Sequence, residues 1–266
     1  MRRTEFIGLT SIVLAGCGAS SSNQFNKSVK LEMFVSKMSV LDKFKSLKEA
    51  GFDAVEVNSS SYSLRELIKA SKISGLKISA VNYSESWSSP VTEGKALAKL
   101  EAAIEEASKL GASVVNLNPG VKHSRITKTA CFNQSNKTIS ELLPLLVSKN
   151  IKLALENVWN GFLQTPRDMA DFIASINSRF VGACLDTGNA SRFGRPESWW
   201  KVLQEKIFSV QVQSFDKNTA LKNQSIRSGL QPASVQFVPD GYEGFVCIDG
   251  YGGDIKQLQN SALSIS

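Results

Sequence analysis

Short apolar runs alternate along this chain with longer stretches whose apolar residues recur at helical spacing. Residues 31–35, 54–57, 76–81, 113–117, 151–155, 181–185, 207–212 and 245–248 are predicted strands. The first helix opens at Ser39 with Asp42 three residues on, carries Val40, Leu41, Phe44 and Leu47 on one face, and stops at Gly51. Ser63 opens the second and Gly75 closes it; the third runs over 96–110 up to Gly111. The fourth is predicted over 138–149, where Pro144 marks a kink or a late start. Thr165-Pro-Arg-Asp168 caps a fifth, with Met169, Phe172, Ile173 and Ile176 on its inner face. A sixth covers 197–205 and a last one 255–263. Between Lys217 and Val238 the pattern fades, and only a short helix near 232–237 is expected.

Eight strands separated by helices imply parallel pairing with both sheet faces covered. The expected fold is α/β, a single-domain (β/α)8 TIM barrel with a short or degenerate seventh helix. An open doubly wound sheet is the alternative, but no Gly-rich loop follows the first strand.

A chain of 266 residues suits one such barrel, and 42% apolar with 21% charged residues reads as globular. The net charge of +7 is spread over most helices without a basic block, so no nucleic-acid partner is expected. The amino terminus changes the picture. Met1-Arg-Arg3 precedes an apolar run over 7–15 that is too short to span a bilayer, and Leu14-Ala-Gly-Cys17 ends that run. Leu-Ala-Gly-Cys resembles a bacterial lipobox, in which the chain is cut before a Cys that receives lipid. The expected organisation is a lipoprotein-type signal peptide over 1–17, a flexible tether over 18–28 and a barrel over 29–266. The protein is then an exported, membrane-anchored lipoprotein on the periplasmic or cell-surface side, by the general or the twin-arginine route. Cys131, Cys184 and Cys247 form no CxxC pair, which argues against a thiolate zinc site; the last two lie inside predicted strands as buried apolar residues.

Three carboxylates stand at predicted strand ends: Glu156, Asp186 and Asp249. In a parallel barrel those ends open on one face, where carboxylates converge as a hard divalent cation requires. Glu56, Asn82, Asn118 and Asn157 are candidates to bind substrate; Asn116 is another, unless it faces the helices. Trp159 and Phe162 are candidates to stack on a ligand face, or to anchor a loop, and Lys217 to bind substrate oxygens or to be a solvated lysine. The one histidine, His123, lies in the loop after the fourth strand and reads as a solvated residue.

Leu153-Ala-Leu-Glu-Asn-Val-Trp159 with Gln164-Thr-Pro166, Cys184-Leu-Asp-Thr-Gly-Asn189, Gly241-Tyr-Glu-Gly-Phe-Val-Cys-Ile-Asp249 before Gly252-Gly-Asp254, and Gly51-Phe-Asp-Ala-Val-Glu56 together resemble the xylose isomerase-like barrel superfamily, in particular its sugar phosphate isomerase/epimerase group. The resemblance runs from about residue 31 to the end. It implies a metal held by Glu, Asp, His and Glu on strands five to eight, which puts Glu156 and Asp186 on the metal unchanged. It puts Gln211 where His is expected and Asp249 where Glu is expected. Val158 replaces the His of a Glu-Asn-His-Trp motif, and Gln213 and Ser214 replace Lys-Asp. Gln offers an amide oxygen acceptable to Mn2+ or Mg2+ but is a poor substitute for imidazole toward Zn2+. The cofactor expected from the resemblance is therefore weakly bound Mn2+ or Mg2+, held by Glu156, Asp186, Gln211 and Asp249.

Residues and resemblance together point to an exported isomerase or epimerase acting on a small sugar or polyol, with metal-assisted proton transfer next to a carbonyl and Glu156 and Asp249 as base and acid. The alternative is a catalytically degenerate, lipid-anchored carbohydrate-binding protein. An abasic-site endonuclease of this build needs a His-rich zinc cluster, which one histidine excludes. The anchor is testable on its own. A fatty-acid analogue fed to cells should label the wild-type chain and spare Cys17→Ser; equal labelling of both contradicts lipidation at Cys17.

Overall fold

The computed structural model describes residues 25–83, 94–121, 126–158, 160–192, 194–214, 238–250 and 252–265. Strands β1 (Asn26–Lys30), β2 (Ala54–Asn58), β3 (Lys77–Tyr83), β4 (Val114–Leu117), β5 (Lys152–Glu156), β6 (Val181–Asp186), β7 (Ile207–Ser214) and β8 (Phe245–Gly250) pair in chain order, all parallel. β8 pairs with β1, so the sheet closes as a barrel. The expected (β/α)8 architecture is present.

One tripeptide pattern recurs on every strand. Ser28-Val-Lys30, Ala54-Val-Glu56, Ala80-Val-Asn82, Val114-Val-Asn116, Ala154-Leu-Glu156, Cys184-Leu-Asp186, Ser209-Val-Gln211 and Cys247-Ile-Asp249 each place a compact residue, an aliphatic one and a polar one in succession. Successive strand residues face opposite sides. Val29, Val55, Val81, Val115, Leu155, Leu185, Val210 and Ile248 therefore face the helices, and all eight are completely buried. The compact residues turn inward and fill the lower barrel; Ala80, Val114, Ala154 and Cys184 form an apolar cluster there, with Phe208 against it. The polar residues stand above them.

Register sets their heights. Four of the eight seams step the triplets by two residues, a total stagger of eight. That is the shear of a TIM barrel, one residue per strand. Lys30, Asn82, Glu156 and Gln211 consequently share a layer. Glu56 and Asn116 lie one residue below it, and Asp186 and Asp249 one above. Two bulges keep the pattern in phase, one where β3 inserts Ser79 opposite β2, the other where β7 inserts Phe208 opposite β6.

Helices α1 (Val40–Glu49), α2 (Leu64–Ser74), α3 (Gly94–Leu110), α4 (Lys128–Lys149), α5 (Pro166–Ile176), α6 (Thr187–Arg192), α7 (Pro196–Leu203) and α8 (Ile255–Ser264) cover the described outer face. Several starts follow side-chain caps: Ser39 accepts from the Asp42 amide, Thr127 from Ala130, Thr165 from Asp168, and Asp254 forms a full capping box with Gln257. No described helix is long and apolar enough to cross a membrane.

Three expectations are corrected. The first strand is Asn26–Lys30, not 31–35, so residues 26–28 belong to the barrel rather than to the tether, and Phe25 already packs on the core. Its inner face carries Ser28 and Lys30, which hides it from a hydrophobicity reading; Leu31–Met33 instead form a 3-10 turn. α4 begins at Lys128 and runs through Pro144 to Lys149, because its buried stripe continues back through Ser135 and Cys131, small residues that do not read as apolar core. A short helix, α6, follows β6 directly. The signal peptide, Cys17, residues 18–24 of the tether and the expected weak seventh helix lie outside the described residues.

The β7 bulge rests on Gly182. A Cβ there would lie 2.3 Å from the Lys206 carbonyl oxygen and 2.5 Å from the Phe208 ring. Gly182→Ala should therefore destabilise the barrel by about 1–3 kcal/mol through overpacking. Denaturant unfolding measures this, and an unchanged midpoint contradicts the tight seam.

Candidate active site

The eight polar triplet residues make a ring inside the C-terminal half of the barrel: four carboxylates (Glu56, Glu156, Asp186, Asp249), three amides (Asn82, Asn116, Gln211) and one amine, Lys30. Glu56, Asn82, Asn116, Asp186 and Gln211 are buried, whereas Lys30, Glu156 and Asp249 remain partly open to the mouth.

The buried members form a network around Glu56. Its Oε2 accepts from Gln211 Nε2 at 2.9 Å, from Asn82 Nδ2 at 3.1 Å and from Asn116 Nδ2 at 3.4 Å. Asn116 also donates to Asn82 Oδ1 at 2.8 Å and accepts from Ser209 Oγ at 2.7 Å. Asn116 thus faces inward, not toward the helices. Among the described residues, Glu56 Oε1 and Gln211 Oε1 are buried acceptors without a donor. Burial raises the Glu56 pKa; Lys30 and the amide donors offset this only in part.

Asp186 is fixed by its surroundings. Asn157 Oδ1 accepts from the Asp186 amide at 2.8 Å, and Asn157 Nδ2 donates to the Asp186 carbonyl at 2.9 Å. The Asp186 carboxylate accepts the Asn189 amide at 2.7 Å and so caps α6. Asn189 Nδ2 reaches on to Glu156 Oε1 at 3.3 Å.

At the open edge, the Lys30 ammonium meets Asp249 Oδ2 at 2.6 Å. Burial alone would lower the Lys30 pKa. The combined fields of Asp249, Glu156 and Glu56 outweigh it and hold the ammonium well above its ordinary value. Glu156 is pushed up to about 8, first by burial and then by the charges of Asp186, Asp249 and Glu56, against the opposing pull of Lys30.

The structure redistributes several expected roles. Glu156, Asp186, Gln211 and Asp249 do share one ring, and three of them are engaged by other groups of the chain. Gln211 turns its amide nitrogen to Glu56, Asp249 holds Lys30, and Asp186 caps a helix. Among the described residues no group of three or more His, Cys, Asp and Glu side chains is placed to hold a metal ion. The Lys30 ammonium lies among these carboxylates and offsets part of their mutual repulsion. Asn157, expected to bind substrate, clamps β6 with both ends of its amide. Asn118 Oδ1 accepts from Asn160 at 2.9 Å and from the Gly120 amide at 3.3 Å, so its carbonyl ties the loop after β4 to the loop after β5. Glu56 and Asn82 lie under the mouth in one buried network. Phe162 is a core anchor rather than a sugar platform, packed edge-on against Phe172 at 5.7 Å. Trp159, Lys217 and His123 lie outside the described residues. Lys30, Asn160, Asn189 and Ser209 join the site without having been expected there. The repeated triplet is the signal that could have found Lys30 and Ser209, and the Cys184–Asn189 motif could have found Asn189; nothing in the sequence singles out Asn160.

The xylose isomerase-like TIM barrel model matches residues 44–250. The chain belongs to that family. Among solved structures it is similar to 3-keto-D-glucoside 4-epimerase from E. coli, with a TM-score of 0.70, 14% identity, and 90% of this chain and 98% of that one covered. It is also similar to a xylose isomerase-like barrel protein from Mycobacterium smegmatis in complex with magnesium, with a TM-score of 0.64, 18% identity, and 92% and 95% covered. Both likenesses show the fold. An uncharacterized protein of Methanocaldococcus jannaschii is 30% identical over 122 residues, 44% of this chain and 42% of the relative. The match thus spans less than half of that relative's length.

The raised Glu156 pKa has a consequence for stability. An unfolded chain releases this proton from about pH 4.5, whereas the folded one keeps it to about 8. Stability contributed by the protonated group is therefore present below 4.5 and is lost as pH rises through that window. Glu156→Gln removes the dependence. Denaturant unfolding at several pH values should show the variant gaining on the wild type between about pH 5 and pH 8; a constant difference contradicts the raised pKa of this carboxyl.

Proposed function

We propose that this protein is an isomerase or epimerase of a small unphosphorylated sugar or polyol, moving a proton to and from the carbon next to a carbonyl. The observation that carries the reading is Glu156: a partly open carboxyl in the barrel mouth whose pKa lies near neutrality, where a general base is most effective. Family membership supports the substrate class, and the neighbour that epimerises a 3-keto-D-glucoside supports chemistry beside a carbonyl. Glu156 takes the proton from carbon and returns it. For isomerisation Glu156 carries the carbon-bound proton to the neighbouring carbon on the same face, while the hydroxyl proton passes between the two enediol oxygens through solvent at the open mouth. Epimerisation needs in addition a protonated donor on the opposite face; Asp249, the other carboxyl open to the mouth, fills that role only in its protonated form. Gln211, Asn82 and Glu56 hold the floor beneath the substrate. Mn2+ or Mg2+, expected from the resemblance, is in this reading a weak competitor for carboxylates that Lys30 and the helix cap already engage, and no step depends on it.

Export and lipidation at Cys17 complete the proposal, and favour unphosphorylated substrates because sugar phosphates are mainly cytoplasmic. Loss of the family His at Gln211 supports the second reading, a lipid-anchored carbohydrate-binding protein without turnover. Proton exchange separates the two. In D2O, a panel of ketoses and aldoses incubated with the full chain should lose the proton signal beside the carbonyl of one of them. Glu156→Gln should slow that exchange about 100-fold or more. A sugar that binds without exchange in the wild type establishes the binding-protein reading instead.

A further inference from the structure

Lys30 has no counterpart among the residues that the resemblance assigns, yet it stands in the ring beside all the chemistry. It ends the Ser28-Val-Lys30 triplet of β1, in the layer shared with Asn82, Glu156 and Gln211. β1 lies between β2, which carries Glu56, and β8, which carries Asp249. The ammonium contacts Asp249 at 2.6 Å, and 20% of the lysine side chain stays exposed. It can therefore touch both a carboxylate and a bound ligand. The residue of the same layer on β7, Gln211, is neutral and turned to Glu56, and Lys30 is the one cation among the eight ring residues, beside four carboxylates.

We propose that Lys30 is the resident cation of the barrel mouth and a catalytic residue, its ammonium taking the electrostatic place of a divalent metal and polarising the carbonyl oxygen of the bound sugar. The proposal rests on the isomerase/epimerase reading for its catalytic half and on geometry alone for its cation half. The step balances without a co-reactant. Glu156 removes the proton beside the carbonyl; the C–H pair becomes a C=C bond, and the carbonyl π pair moves onto oxygen. The resulting enediolate oxygen accepts a hydrogen bond from the Lys30 ammonium, which keeps its protons. Return of the Glu156 proton to carbon reverses the flow. Asp249 aims the ammonium, and the methylene missing relative to Glu leaves room for the lysine head. A preorganised donor at a developing oxyanion is worth about 100-fold or more in rate.

The test uses the full chain as wild type, Lys30→Met and Lys30→Arg, each checked by thermal unfolding. Calorimetric titration with Mn2+ should show negligible binding to wild type and to Lys30→Arg. Lys30→Met, which removes the ammonium from Asp249 and with it the compensating charge, should bind Mn2+ about ten-fold tighter or more. Equal Mn2+ affinity in wild type and Lys30→Met overturns the cation half. Deuterium exchange by the wild type should persist in excess chelator and fall about 100-fold in Lys30→Met. Exchange that appears in the wild type only when Mn2+ is added overturns the catalytic half, and needs no variant to fold. Borohydride added during turnover should leave Lys30 unmodified; a reduced sugar adduct on it replaces the proposal with imine chemistry. If no sugar exchanges at all, the isomerase reading and the catalytic half fail together, while the Mn2+ titration still decides whether Lys30 holds the place of a metal.

Discussion

Four carboxylates set inside one barrel mouth repel one another, and the fold must supply positive charge where they meet. It does so at the seam where β8 closes on β1. Register aligns Ser28 with Cys247 and Val29 with Ile248, so the next residues, Lys30 and Asp249, stand side by side at the top of the closure. The 2.6 Å contact between them is both a structural and an electrostatic join. A pair of this kind adds little net stability, but removing either member leaves a half-buried charge uncompensated among the others of the ring. That asymmetry ties the site to the closure of the sheet: the chemistry cannot be altered at Lys30 without disturbing the charge balance of the whole ring.

Around that join, the site is held by groups whose task is position rather than contact with substrate. Asn157 bonds the β6 backbone at both amide ends, Asp186 starts α6 with its own carboxylate, and Asn189 returns from that helix to Glu156. Asn118 and Asn160 join two mouth loops, with Asn160 also accepting from the Phe162 amide. Below, the Glu56 network fixes Gln211. Lys30, Glu156 and Asp249 are left facing the opening, on a rigid floor of buried hydrogen bonds, which is the arrangement proton transfer requires.

Much of this is legible in the sequence. Strand–helix alternation indicates the barrel, and the carboxylates at the ends of β5, β6 and β8 indicate the mouth. The departures share one physical cause. A barrel interior that hosts chemistry is polar, so β1, with Ser28 and Lys30 turned inward, looks like a linker, while the more apolar Leu31–Met33 next to it looks like a strand. The same cause hides the first turns of α4, where Cys131 and Ser135 occupy buried positions. Roles within the site are less legible than membership, because an Asn at a strand end can bind a ligand or clamp its neighbour. Only the partner atoms distinguish Asn157, which clamps, from Asn82, which supports Glu56. The recurring compact–aliphatic–polar triplet is present throughout, and it locates all eight polar residues of the ring once the first strand is placed correctly.

The central claim is that the mouth carries its own cation. Anomalous diffraction from crystals of the protein soaked in Mn2+ at neutral pH addresses it directly. The expected result is no manganese peak among Glu156, Asp186, Gln211 and Asp249, with the Lys30 ammonium still against Asp249. A manganese peak bound by those side chains, with Lys30 swung away from Asp249, would contradict it.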